Sequence, residues 1–76
     1  MRAVDIRNRL ATNLRRYRAA KGWSQERFAH EAGIHRTYVS DLERVARNPS
    51  LTILERLAEP LGVTASALIA EAEDAG

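Results

Sequence analysis

Helix stop and start signals divide this chain into short segments, and they constrain its fold more than any other feature. Three glycines each follow a stretch with apolar residues at helical spacing, and three hydroxyl residues each precede another such stretch: Gly22, Gly33 and Gly62, and Ser24, Ser50 and Thr64. Glycine favours the left-handed turn that ends a helix, and Ser or Thr caps the start of a helix. No stretch alternates like a β-strand. The pattern therefore predicts an all-α fold.

The apolar spacing predicts five short helices in one compact domain over residues 1–76. We expect them at about Val4 to Ala20, from Ser24 to Gly33, from near His35 to Arg44 or Val45, from Ser50 onward, and from Thr64 onward. Pro60 is expected to end or kink the fourth helix. The predicted inner faces contain Ile6, Leu10, Leu14, Tyr17, Phe28, Ala29, Ala32, Leu54, Leu57, Ala58, Leu61, Leu68 and Ile69. The tail EAEDAG is expected to fray.

Composition excludes several classes of protein. With 76 residues there is room for only one core, and the absence of cysteine excludes disulfides and thiolate metal sites. The first ten residues lack the apolar stretch of a secretory signal, and charges recur too often for a membrane-spanning helix. We therefore expect a soluble, cytoplasmic protein.

The charges are distributed unevenly along the chain. Residues 1–47 contain eleven of the twelve basic side chains against five acidic ones, a balance of +6, whereas residues 48–76 have a balance of −4. The basic part suggests an anionic partner and the acidic part a different role, although basic helix faces are often merely solvated. Charge alone leaves both interpretations open.

The segment GIHRTYVSDLERVARN concentrates polar side chains and follows a first histidine, which raises the question of a metal site. His30 and His35 are five residues apart, whereas a zinc-binding helix needs histidines four apart on one face. Gly33 also interrupts the helix between them. We therefore expect no metal, with His30 facing solvent and His35 at a helix start.

Catalysis is equally disfavoured by the same segment. It has serine and histidine but no glycine-rich elbow and no carboxylate placed to orient the histidine. A chain of this size also has little volume for an enclosing pocket. We expect neither an enzyme nor a cofactor.

A helical projection separates the third helix into two faces. Val39 and Leu42 point toward the core, where Ile34 can join them. The opposite face contains Arg36, Thr37, Ser40, Asp41 and Arg44, with Tyr38 and Glu43 at its borders. In a DNA major groove, arginine can bind guanine, threonine can contact the thymine methyl group, and aspartate can accept from cytosine. An ordinary solvated amphipathic helix would look similar, so both interpretations stay open at this point.

The order of features across the chain resembles the helix-turn-helix family of the lambdoid phage repressors, also called the xenobiotic-response-element family. The resemblance covers WSQERFAHEAGIHRTYVSDLERVARNPS and continues through ILERLAEPLGVTASAL, with a helix-turn-helix at about residues 25–44. Its markers are Arg18, Ser24, Gln25, Ala29, Gly33, Ile34, Glu43, Arg44, Asn48, Pro49 and Ser50. It implies a lambda-repressor-like DNA-binding domain.

The resemblance also implies roles for individual residues. Arg36 and Thr37 occupy base-reading positions, with Tyr38, Ser40 and Asp41 beside them, and the DNA-facing set is completed by Gln25, His35, Arg44, Arg47 and Asn48. Gln25 resembles a glutamine that contacts phosphate and supports the recognition helix, while Arg47 and Asn48 resemble phosphate contacts. Arg18 and Glu43 resemble an internal ion pair.

Two positions depart from the family pattern. Val45 stands where the family usually has glycine, and a β-branched residue resists positive φ. We therefore expect the third helix to run slightly longer, or the following loop to take another path. His35 stands where a Ser, Thr or Asp cap is common, which predicts a weaker helix start. An imidazole at this position could instead contact phosphate with a strength that depends on pH.

Within the family, the RTYVS segment and capped fourth helix look most like the controller proteins of restriction–modification systems. The resemblance implies a transcriptional regulator that binds double-stranded DNA as a homodimer on a palindromic operator. Its second half, about residues 50–72, would supply the dimer contacts through Leu61, Val63, Leu68 and Ile69. The alternative is an antitoxin or other protein-interaction module, although only EAEDAG extends past the last helix. Neither a small-molecule effector nor a membrane contact is expected.

Overall fold

Five helices account for most of residues 5–71, which are the residues that the computed structural model describes. They are α1 (Ile6–Lys21), α2 (Gln25–Ala32), α3 (Arg36–Glu43), α4 (Leu51–Leu61) and α5 (Ala65–Ile69). Over these residues there is no β-strand, so the predicted all-α, five-helix fold is confirmed. The predicted start of the first helix at Val4 and the tail beyond residue 71 lie outside the described residues.

The predicted caps form at the ends of the helices. Ser24 accepts a hydrogen bond from the Arg27 amide at 3.0 Å, and Ser50 and Thr64 cap α4 and α5 in the same way. Gly22, Gly33 and Gly62, which end α1, α2 and α4, all have φ of 71–72°. These side-chain and left-handed caps satisfy backbone groups that a short helix would otherwise leave without partners.

Pro60 does not end α4, so the first of the two effects predicted for it is wrong, and the predicted kink stays a prediction. The helix continues through Pro60 to Leu61 and is closed by Gly62. Proline lacks the N–H that would bond the carbonyl four residues earlier, but only Leu61 follows it in the helix, so little of the helix beyond Pro60 depends on that bond.

The core is built from all five helices, and it contains most of the predicted apolar residues. Its members are Leu10, Leu14, Phe28, Ala29, Ala32, Val39, Leu42, Leu54, Leu57, Ala58, Leu61 and Leu68. Ile6 departs from the prediction because its side chain is 45% exposed at the first turn of α1. The prediction that Leu61 and Leu68 face a second copy also needs correction. They are 7% and 0% exposed, so this chain's own core already covers them.

Polar side chains on α1, which the sequence did not reveal, fix the short helix α5. Asn13 is 3% exposed, and its amide nitrogen donates to the carbonyl oxygens of Leu68 and Ala70 at 2.8 and 2.9 Å. Arg9 donates to the Ile69 carbonyl at 2.9 Å. The last carbonyls of α5 thus find partners on another helix, although α5 has no glycine cap.

Val45 adopts the left-handed conformation, with φ of 61°, that glycine usually supplies. The expectation that α3 runs longer is therefore wrong, because α3 ends at Glu43. The amide of Val45 donates to the Leu42 carbonyl at 3.1 Å, and the Ala46 amide donates to the Asp41 carbonyl at 2.8 Å. These bonds close the end of α3, and the surrounding fold imposes the turn on a residue that resists it.

We predict that Val45→Gly stabilises the domain. Left-handed backbone costs a side-chain-bearing residue about 1–2 kcal/mol, and the greater freedom of glycine in the unfolded chain offsets roughly half of that gain. We expect the free energy of unfolding in urea to rise by about 0.5–1 kcal/mol. Val45→Ala, which loses side-chain contacts but keeps the strain, is the control and should destabilise. Equal losses for both variants would show that the valine side chain matters more than the strain.

Candidate nucleic-acid interface

Helices α2 and α3 present the polar face that the sequence predicted. Gly33 and Ile34 form the turn between them, and the half-buried Ile34 packs against the core. Arg36 and Thr37 are exposed on α3, and Arg44 is exposed directly after it. The buried Val39 and Leu42 anchor the other face of α3. Ser40 and Asp41 lie half-buried beside the exposed residues. The face is thus a row of donors and acceptors on a helix held by the core.

His35 caps α3 with its imidazole. Its Nδ1 accepts a hydrogen bond from the Thr37 amide at 3.2 Å, and both His35 and His30 are exposed. The predicted positions of the two histidines are therefore confirmed, and the imidazole replaces the hydroxyl cap of the family. In residues 5–71 no cluster of three or more His, Cys, Asp or Glu side chains is placed to hold a metal ion.

Glu43 joins α1, α2 and α3 at the C-terminal end of α3. Its carboxylate accepts two hydrogen bonds from Arg18, at 2.8 and 2.9 Å, and one from the Gln25 side chain at 3.0 Å. The side chain of Glu43 is only 5% exposed and that of Arg18 is 20% exposed. The structure thus forms the ion pair between Arg18 and Glu43 that the resemblance implied, and Gln25 adds a hydrogen bond to the same carboxylate. The orientation of α3 therefore depends on a mostly buried ionic network.

Two further contacts, which the sequence did not indicate, strengthen this network. Arg15 donates to the Glu43 carbonyl at 2.7 Å, and Arg18 also donates to the Trp23 carbonyl at 2.8 Å. The hydrogen bond to Glu43 raises the pKa of Arg18 above its ordinary value, although burial opposes the shift. Arg18 therefore keeps its charge at every pH at which the domain would be studied.

Asp41 lies between two arginines rather than open to a base. Its Oδ1 accepts from Arg44, and its Oδ2 accepts from Arg47 at 3.1 Å. The Asp41 side chain is only 16% exposed, whereas those of Arg44 and Arg47 are 65% and 44% exposed. Hydrogen bonds from Arg47 and then Arg44 hold the pKa of Asp41 below its usual range. The spacing of Asp41 and Arg44, three residues apart on a helix, is the sequence signal that could have revealed this pairing.

Tyr38 connects α3 to the loop that follows it. The guanidinium carbon of Arg47 lies 4.4 Å from the centre of the Tyr38 ring, a cation–π contact, while the ring also packs against the core. Arg47 is thereby brought beside α3, and Asn48 is exposed next to it in the loop. Tyr38, Asp41, Arg44 and Arg47 are thus brought together along α3 and its loop. Gln25 is instead turned toward Glu43, and Asn48 lines a depression together with Ile6 and Leu51.

Comparison with known proteins agrees with this geometry. The helix-turn-helix family profile (HTH_3) matches residues 14–68, most of the chain and all of α2 and α3. This chain belongs to the helix-turn-helix family. The expected resemblance is therefore confirmed, and the matched residues include the face described above.

Relatives within the helix-turn-helix family include regulators and controller proteins. A hypothetical transcription factor of Neisseria meningitidis serogroup B (strain ATCC BAA-335 / MC58) is 48% identical over 65 residues, which are 86% of this chain and 61% of that protein. The control protein C.SmaI of Serratia marcescens is 41% identical over 66 residues, 87% of this chain and 79% of its own. This chain thus spans less than two thirds of the Neisseria protein.

A solved structure gives the same result. The crystal structure of the restriction–modification controller protein C.AhdI from Aeromonas hydrophila superposes with a TM-score of 0.78 at 39% identity, covering 82% of this chain and 94% of that one. The predicted similarity to controller proteins is therefore confirmed.

Within residues 5–71, the helices are too short or too polar to cross a membrane.

Proposed function

We propose that this helix-turn-helix protein is a sequence-specific transcriptional regulator that binds double-stranded DNA as a homodimer on a palindromic operator, in the manner of a restriction–modification controller. The observation that carries the proposal is the exposed face of α3, which is fixed by the Glu43 network and flanked by arginines. A rigid helix with short side chains and arginines can enter a major groove and approach the base edges closely.

Individual roles follow from position on this face. Arg36 and Thr37, in the first turn of α3, would contact base edges together with Ser40 and Tyr38. Phosphate contacts would come from His35 and Asn48, together with Arg44 and Arg47. Phosphate contacts set the position of a domain on the duplex, and base contacts select the sequence.

The surface proposed for the second copy lies on α1, α4 and α5. Ile6 and Leu51 are the most exposed large hydrophobic residues within residues 5–71, at 45% and 80%, and both line one depression of about 220 Å³. Its other lining residues are the apolar Leu10, Pro49, Leu54 and Ile69 and the polar Arg7 and Asn48. A second copy of the chain would cover this apolar surface, which water otherwise contacts. Of the residues first predicted for this interface, Ile69 stays in the proposal. Val63 is half-buried and lies before the start of α5, at the opposite end from Ile69, so it is not part of the proposed surface.

Leu51→Glu is predicted to abolish self-association without unfolding the domain. The side chain is 80% exposed and stands at the first position of α4, where a carboxylate interacts favourably with the helix dipole. A charge in the centre of an apolar interface would instead be desolvated. We expect the mass in sedimentation equilibrium to fall from twice the chain mass to the chain mass. Leu51→Met is the conservative control and should stay dimeric. A dimer for Leu51→Glu would place the interface elsewhere.

Selection of binding sites from random duplexes tests the function itself. A homodimer with a twofold axis should select inverted repeats whose half-sites lie about 34 Å apart, one turn of duplex. Recovery of single or directly repeated sites would contradict the palindromic operator. Recovery of no sequence at all would contradict sequence-specific binding.

A further inference from the structure

Asp41 has an arrangement that the proposed reading of DNA does not require. Both of its carboxylate oxygens are occupied, one by Arg44 and the other by Arg47. The guanidinium of Arg47 is held on its other side by the ring of Tyr38. Two arginines therefore converge on one carboxylate that is 16% exposed, at the edge of the face proposed to meet DNA, and Tyr38 holds one of them.

A carboxylate bound by two arginines has the same chemistry as a DNA phosphate bound by them. Both ligands offer anionic oxygens at hydrogen-bonding distance, and guanidinium groups bind either in the same planar manner. An arginine held by Asp41 must leave it, wholly or in part, before it can bind a phosphate. Each such exchange reduces the free energy gained by binding a phosphate, because the arginine gives up its contact with Asp41.

This competition acts on different DNA sequences alike. Non-specific binding depends almost entirely on phosphate contacts, whereas binding to an operator also gains from base contacts. Releasing the arginines from Asp41 costs the same free energy in both complexes, so affinity falls by a similar factor on operator and on non-specific DNA. The competition therefore lowers the strength of all DNA binding and leaves the ratio of the two affinities nearly unchanged.

We propose that Asp41 is an internal competitor for phosphate that restrains Arg44 and Arg47 in the free protein and so limits the affinity of the domain for every duplex. It replaces the role suggested by the side chains of the α3 face, in which Asp41 accepts from cytosine. The proposal rests on the proposed DNA-binding function, because the competition needs a duplex to compete with.

Asp41→Asn tests the proposal, since it keeps the size of the side chain and removes its charge. Mobility-shift titrations of the full chain would use the selected operator and an unrelated duplex of equal length across a series of salt concentrations. We expect affinity for both duplexes to rise by a similar factor, roughly tenfold, and the operator-to-unrelated ratio to stay nearly unchanged. The slope of log affinity against log salt should steepen by about 1–2 as the freed arginines reach phosphates.

Glu55→Gln is the matched control for charge. Glu55 is exposed on α4, and within residues 5–71 it takes part in no ion pair, yet its substitution changes the net charge by the same amount. An equal gain for Glu55→Gln would overturn the proposal, because the effect would then be one of net charge. An unchanged salt slope for Asp41→Asn would also overturn it.

Two other outcomes separate the proposal from its alternatives. If Asp41→Asn loses preference at a single base pair while its non-specific binding is unchanged, Asp41 reads a base and does not compete with phosphate. If the unsubstituted protein binds no duplex at any salt concentration, the DNA-binding function fails and the proposal about Asp41 fails with it. Binding by the unsubstituted protein with no effect of Asp41→Asn overturns the proposal about Asp41 alone.

Discussion

Arg18→Met is expected to destabilise the domain by about 3–5 kcal/mol, because it leaves the carboxylate of Glu43 buried with only Gln25 as a side-chain partner. Methionine keeps most of the apolar stem of arginine, so the loss comes from the charge and its hydrogen bonds. A domain of this size has a total stability of about 4–11 kcal/mol, so the variant loses a large fraction of it. Urea denaturation followed by circular dichroism measures the change.

The double variant Arg18→Met with Glu43→Leu is the control that identifies the cause. Removing both charges leaves no buried carboxylate without a partner, and replacing a buried ion pair by apolar residues is often neutral or stabilising. We expect the double variant to recover most of the stability that the single variant loses. If the double variant instead loses as much stability as the two single substitutions together, the unpaired buried charge of Glu43 is not the reason for the loss in Arg18→Met.

Arg36→Ala is expected to reduce operator affinity strongly while leaving non-specific binding nearly unchanged. A good bidentate contact to guanine contributes about 1–3 kcal/mol of discrimination, which corresponds to a roughly 5- to 150-fold loss at the operator. Competition mobility-shift assays with operators substituted at each position would show preference lost at one base pair in each half-site. A uniform loss across all duplexes would make Arg36 a phosphate contact.

Arg47→Ala provides the contrast, because its proposed partner is a phosphate. Affinity should fall by a similar factor for every duplex, and the salt slope should decrease by about 1. Arg56→Ala is the control, since Arg56 is exposed on α4 and its loss changes the net charge equally. Identical behaviour of the Arg36 and Arg47 variants would contradict the division of roles along α3 and its loop.

The helix boundaries and the core could be predicted because local rules decide them. Ser24 with Gly33, and Ser50 with Gly62, mark the ends of α2 and α4 by side-chain and backbone chemistry that needs no tertiary context. Val45 shows where such rules fail. Local preference disfavours its φ of 61°, and only the packing around the end of α3 imposes that conformation.

In the surface proposed to meet DNA, local rules likewise predict which residues share a helix face but not which side chains contact each other. Helical spacing was enough to group Arg36, Thr37 and Ser40 on one side of α3. It did not show that Asp41 is held by Arg47, because that contact depends on the path of the loop after Val45. Asn13 escaped prediction for a similar reason, since its partners are carbonyl groups on α5, more than fifty residues away in sequence.

Binding of a duplex from the region upstream of the protein's own gene, measured by mobility shift across a series of salt concentrations, tests the central claim most directly. If α3 and its arginines meet DNA, affinity should fall steeply as salt rises, with a slope of about −0.9 for each phosphate contacted, and an unrelated duplex should bind more weakly. Absent or salt-insensitive binding to every duplex tried would contradict the assignment of this face to DNA.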